Sequence, residues 1–188
     1  RHAVIRALSK LQRADDFKCD PERLDVAIER EIEHYSALGQ ILHLHLQPGI
    51  DLGIPVSPEA LRSYRAEALE RIFRLLGLRY NQRDIYDAYL GITSDEPDLR
   101  DSAVEFVDNL IDYGTRRYLL PLLDDPKGER AATSGARLFN RRILHPEAAR
   151  EYLATVDDPR LSGLIDGDSS EPPPPDLPHG GEESAPAL

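Results

Sequence analysis

The chain of 188 residues has no Met, no Trp and a single cysteine, Cys19. One thiol excludes an intramolecular disulfide and every zinc site built on cysteines, and it fits a reducing compartment. Because Met is missing at position 1 as elsewhere, the sequence opening at Arg1 reads as part of a longer protein, truncated on its N-terminal side. Aromatics make up only 6% of residues against 40% hydrophobic ones, so the interior must be built from Leu, Ile, Val and Ala. That mixture favours helices over a sandwich or barrel. No run approaches the ~20 apolar residues of a membrane-spanning helix, and no signal peptide is visible, so no membrane insertion by this chain is expected.

Lysine is scarce as well: Lys10, Lys18 and Lys127 stand against 20 Arg. The bias reflects either the base composition of the coding sequence or a surface made for bidentate carboxylate or phosphate contacts. The formal charge is −11, and residues 166–188 contribute Asp166, Asp168, Glu171, Asp176, Glu182 and Glu183 with no Lys or Arg. An acidic body lacks the dense basic surface that nucleic acid and anionic lipid require, so nucleic acid is not an expected partner. The same tail holds six of the 15 prolines. It cannot bury enough apolar surface to offset ordering entropy, and 166–188 is expected to be a disordered acidic, Pro-rich tail behind a helical domain at 1–165.

Helical periodicity dominates that domain. Val4, Ile5, Leu8 and Leu11 share a stripe within 2–12. Asp20-Pro21-Glu22 is a cap, a first-turn proline and an early acid; it opens a long pattern through Leu24, Ile28, Ile32, Tyr35, Leu38, Leu42 and Leu46. The second half of that pattern, ALGQILHLHL, is apolar on several sides and should be sandwiched between neighbours. The loop at 48–56 carries Ile50, Leu52, Ile54 and Val56 and should pack down. Ser57-Pro58 opens the next helix, with Gly77 as its stop, and a short helix over 82–90 turns Ile85, Tyr86 and Tyr89 inward before Gly91. Pro97 opens a helix carrying Leu99, Ala103, Phe106, Val107, Leu110 and Ile111 on one face, ended by Gly114. Further helices are read at 115–123, 129–139, from Pro146 through Leu153, and at 161–165. The expected core includes Leu8, Leu42, Leu69 or Ile72, Phe73, Leu76, Phe106, Leu110 and Leu120.

Candidate chemistry is sparse. His43 and His45 are two apart and point about 200° apart on a helix, so they cannot share a metal, and no metal or cofactor is expected. Glu29, Glu31 and Glu33 alternate in the same way and read as a solvated face. Cys19 lies beside Lys18 and Asp20 with no base in view, an incidental thiol. The sequence contains no G-x-S-x-G, no glycine-rich phosphate loop and no H-E-x-x-H, and no enzyme activity is expected. Arg116 and Arg117, with Arg137, Arg141 and Arg142, would converge on a phosphate, a nucleotide or an acidic peptide if their helices are neighbours; the alternative is pairing with the plentiful Asp and Glu.

Three stretches, AVIRALSKL at 3–11, SAVEFVDNLID at 102–112 and DDPRLSGLI at 157–165, resemble the inner helix of a HEAT repeat. RIFRLLGLRYNQRDIYDAYLGI at 71–92 and SAVEFVDNLIDYGTRRYLLPLLDD at 102–125 resemble the soluble HEAT-like region attached to bacterial relatives of the ATP/ADP translocase. Those are carriers of the major facilitator type, some also bearing a cyclic-nucleotide-binding domain. The resemblance implies an all-α, HEAT-like solenoid of antiparallel helix pairs, cytoplasmic or on the cytosolic face of the inner membrane. Such a stack would serve as a non-catalytic scaffold for protein–protein contact, with a separate partner or with the missing N-terminal part of the same chain. The rival expectation is a solenoid sensing a phosphate-containing ligand through the arginines.

Overall fold

The computed structural model describes residues 20–123, 125 and 127–156. The expected helices at 2–12 and 161–165, core position Leu8, Cys19 and the tail at 166–188 lie outside these residues. Among the described residues every regular element is helical and none is a strand.

Local chemistry sets most helix starts. Asp20 caps α1 (Pro21–His45), its carboxylate accepting from the Glu22 amide at 3.1 Å. Ser57 caps α2 (Pro58–Arg79), its hydroxyl accepting from the Ala60 amide at 3.1 Å. Asn81 caps α3 (Gln82–Ile92) through the amides of Arg83 and Asp84, at 2.9 and 3.2 Å. Pro97 sits at the start of α4 (Pro97–Leu110), and Asp112 accepts from the Thr115 amide at 3.0 Å in the first turn of α5 (Tyr113–Leu123). A π-helical turn, Ala131–Gly135, runs into the single-turn α6 (Ala136–Leu138), and α7 (Pro146–Thr155) follows. Gly77 and Gly91, read from sequence as stops, lie inside α2 and α3, and Gly114 lies within α5. A glycine with helical dihedrals continues a helix; the stop after α2 comes from extended Tyr80 and the Asn81 cap that follows.

The long α1 is the hub. It pairs antiparallel with α2, as the ion pairs Asp25–Arg79 at 3.2 Å and Glu31–Arg71 at 3.0 Å show. Also packed on α1 are α5, where the Tyr35 hydroxyl donates to the Leu122 carbonyl at 3.3 Å, and the segment 131–138. Further contacts link α2 to α3, α3 to α4 and α4 to α5, so the five long elements close a circuit through α1. As expected, the second half of α1 is enclosed, with every residue from Ala37 to Leu42 buried. Leu52 and Val56 seal the loop onto the core.

Leu42, Leu69, Ile72, Phe73 and Leu76 are buried as expected, while Leu110 and Leu120 are half-buried against the core. Phe106 is a correction, being 44% exposed, as are Leu99 and Tyr86 at 48% and 58%. The buried side of α4 is set by Ala103, Val107 and the flanking Ile111. A Cβ on Gly91 of α3 would lie 2.6 Å from the Cβ of Ala103. The backbones meet so closely that only small side chains fit between them, and the large ones are turned outward.

Candidate functional site

The five arginines singled out from sequence fall on two neighbouring elements. Arg116 on α5 pairs with Asp108 at 3.1 Å, and Arg117 lies over the Tyr118 ring at 4.3 Å. Tyr118 in turn stacks on Phe139 at 5.2 Å, which brings α5 against the turn that carries Arg137, Arg141 and Arg142. Arg141 bonds Glu33 of α1 at 2.8 Å and lies 5.3 Å from the Tyr152 ring centre. Arg137 and Arg142 are exposed. Two of the five are therefore committed to carboxylates, and an arginine–aromatic stack joins the two elements.

A buried ionic seam joins α1 to α2 and to Asp125. Glu31, expected on a solvated face, is buried and ion-paired to Arg71, because it shares the α1 stripe that faces α2. Arg65 and Asp125 form a second pair at 3.3 Å, with side chains only 6% and 3% exposed. Arg65 also bonds the Asp125 carbonyl and lies 4.4 Å from the centre of the Tyr35 ring. Asp125 accepts from the amides of Arg130 and Ala131, at 3.1 and 2.8 Å, so its carboxylate fastens the entry of the π turn. Burial pushes the Tyr35 phenol up, a shift the adjacent Arg65 guanidinium opposes.

The same seam brings two backbones into contact. A Cβ on Gly39 would lie 2.7 Å from that of Ala131, and Gly128, at φ 74°, faces the Gly39 carbonyl with no space for a side chain. Buried Gln40 closes the far end, donating to the Arg141 carbonyl at 3.1 Å and accepting from the Ile143 amide at 2.9 Å. His34 shares a 2.7 Å hydrogen bond with the Tyr152 hydroxyl of α7. Ser36 is buried, and its hydroxyl has no hydrogen-bond partner among the described residues. The seam is chemistry of shape, in which charges and amides fix how α2 and residues 125–143 sit on α1.

Among the described residues no group of three or more His, Cys, Asp or Glu could hold a metal ion, and no helix is long and apolar enough to cross a membrane. His43 meets Gln47 at 3.2 Å, whereas His34 meets Tyr152. At the α4–α5 junction, Tyr80 donates to the Asp112 carboxylate. Burial alone would raise the Asp112 pKa, but the bonds from Tyr80 and Thr115 outweigh it and hold the carboxyl below its ordinary value.

Two surface features were not read from the sequence. The outward faces of α3 and α4 carry Leu90, Leu99 and Phe106, and a cleft between α2 and α3 is lined by Phe73, Tyr86 and Tyr89. A signal for the first was present: Ala103 and Val107 mark a narrow close-packed stripe, which leaves Leu99 and Phe106 on a second one. No family model matches this chain, and searches of curated proteins and of solved structures give no match.

Proposed function

We propose that the chain is a non-catalytic helical scaffold that works by protein–protein contact, with the outer side of α3 and α4 as its contact surface. One observation carries this reading: Gly91 and Ala103 hold that helix pair close together while Leu90, Leu99 and Phe106 stay 44–48% exposed. Large apolar side chains held exposed on a close-packed pair are the usual mark of a surface that another protein covers. The HEAT-like arrangement belongs to the same proposal. It is supported by consecutive helices packing on their sequence neighbours, although an open stack would not require α5 to return to α1. Attachment to a carrier of the ATP/ADP translocase type, on the cytosolic side of a membrane, rests on the residue pattern at 71–92 and 102–125.

Site-specific photo-crosslinking tests the contact surface. A photoreactive residue in place of Leu99 or Phe106 should give one discrete heavier species in cells that produce the protein, whereas the same residue in place of exposed Glu22 should not. Equal or absent crosslinking at all three positions would refute it. A second reading, a ligand-sensing solenoid, draws support from the Arg117–Tyr118–Phe139 stack beside exposed Arg137 and Arg142. Its sign is saturable nucleotide binding that Arg141→Ala plus Arg142→Ala removes.

A further inference from the structure

The open cleft between α2 and α3 has a volume of about 80 Å3 and is floored by Phe73, Gly77 and Ile85 with Tyr86 and Tyr89 along the α3 side. The Phe73 and Tyr89 rings pack 5.6 Å apart at a 50° tilt, and Tyr86 is the most exposed of the three rings. The polar members are Gln82 and the Glu70–Arg74 ion pair. Beyond Tyr86 the cleft continues into a depression lined by Arg74, Asn81, Gln82 and Arg83, where both charged side chains are basic. Arg83 projects into solvent, with Asp87 at 4.0 Å. One end of the cleft is therefore aromatic, and the other carries two arginines, each with a carboxylate four residues away on its own helix.

Aromatic-lined grooves are the recognised seat of polyproline II segments, which present flat pyrrolidine faces, have no internal hydrogen bonds to lose and give up little entropy on binding. This chain contains such a segment in Glu171–Pro178, EPPPPDLP, with acids on both sides of four consecutive prolines. We propose that Glu171–Pro178 of the same chain seats in the α2–α3 cleft, prolines against Tyr86 and Tyr89 and Asp176 at Arg74 and Arg83. The tether permits it. About 14 residues separate Val156 from Glu171 and reach up to ~45 Å when extended, whereas a body of this size has a radius of gyration of only ~14 Å. Seating there makes the tail a built-in competitor for any Pro-rich or acidic partner of the same cleft. The cleft is lined by none of Leu90, Leu99 and Phe106, so the proposal is independent of that contact surface.

The test uses the full chain with Cys19→Ser and Leu177→Cys carrying a nitroxide. Paramagnetic broadening should concentrate on the amides of Gln82–Tyr89 and spare α7. It should be lost when Pro172, Pro173, Pro174 and Pro175 are all replaced by Ser, and also in Tyr86→Ala or Arg83→Glu, two exposed positions whose replacement leaves the core intact. Uniform or absent broadening, or broadening that survives the four proline replacements, would overturn the proposal. So would broadening seen only on isotope-labelled, nitroxide-free chains mixed with spin-labelled ones, which would place the tail on a second copy. Each of these outcomes leaves the crosslinking at Leu99 and Phe106 unaffected, so the two readings fail separately.

Discussion

Around α1 the largest side chains are inside and charges have followed them: Ile28, Ile32, Leu38, Ile41 and Leu42 are fully buried, and Glu31, Arg65, Arg71 and Asp125 are buried with them. Across α3 and α4 the inside is shared by Ile85, Ala88, Gly91, Ile92, Ala103 and Val107, with Gly91 and Ala103 at the closest approach, and Leu90, Leu99 and Phe106 face solvent. The difference teaches where each region's specificity comes from. Around α1, wrong packings are penalised because they would strand a charge in the core. Between α3 and α4 nothing charged is buried, and specificity is steric, set by how closely two backbones can approach. The first region holds one arrangement firmly; the second leaves apolar area exposed.

The largest expected effect breaks the first region. Asp125→Ala removes the ion-pair partner of buried Arg65 and two amide acceptors at the π turn, and it should cost ~3–5 kcal/mol in urea unfolding. An unchanged midpoint would mean that residues 125–131 are not part of the core built on α1.

At the boundary between the regions, Asp112→Ala should cost ~1 kcal/mol through loss of the cap on α5. Its pH dependence has a definite sign. Because the folded carboxyl titrates below its ordinary value of 3.8, the native state binds fewer protons than the unfolded chain as that range is entered. The stabilisation is therefore complete above pH ~5 and is lost as pH falls through the lowered pKa. Unfolding of wild type and Asp112→Asn at a series of pH values should show a gap that closes in acid; a gap that widens there would contradict the assignment.

The smallest expected effect sharpens the second region. Phe106→Ala should change stability by no more than ~0.5 kcal/mol, as a replacement outside the core, while removing the crosslinked species formed from Leu99. A loss of ~3 kcal/mol, as for a buried aromatic, would instead place Phe106 in the core.

Helix starts were legible because their causes are local. Asp20-Pro21, Ser57-Pro58 and His145-Pro146 each lie at the start of a helix, and a cap and a first-turn proline act within one turn. Helix ends were less so, since Gly77 and Gly91 suit a stop and a close contact equally well, and only a neighbouring element selects between them. Glu31 and Arg65 carried a readable signal that was passed over: each sits at helical spacing within an apolar stripe, Glu31 between Ile28 and Tyr35, and Arg65 between Leu61 and Ala68. A charge on such a stripe requires a buried partner. For the five arginines, spacing gave no pairing, and Asp108 and Glu33 were matched to Arg116 and Arg141 only when the helices came together.

The sequence alone determined that the described chain would be helical, where most helices begin, and that the second half of α1 would be enclosed. These follow from composition, capping and periodicity, which act over a few residues. Tertiary structure decided that Asp125 would answer Arg65 across 60 positions, that Gly39 and Gly128 would let two backbones touch, and that Phe106 would face outward. Those outcomes depend on which helix faces meet, and helical periodicity offers each helix more than one apolar stripe without saying which of them a neighbour will cover.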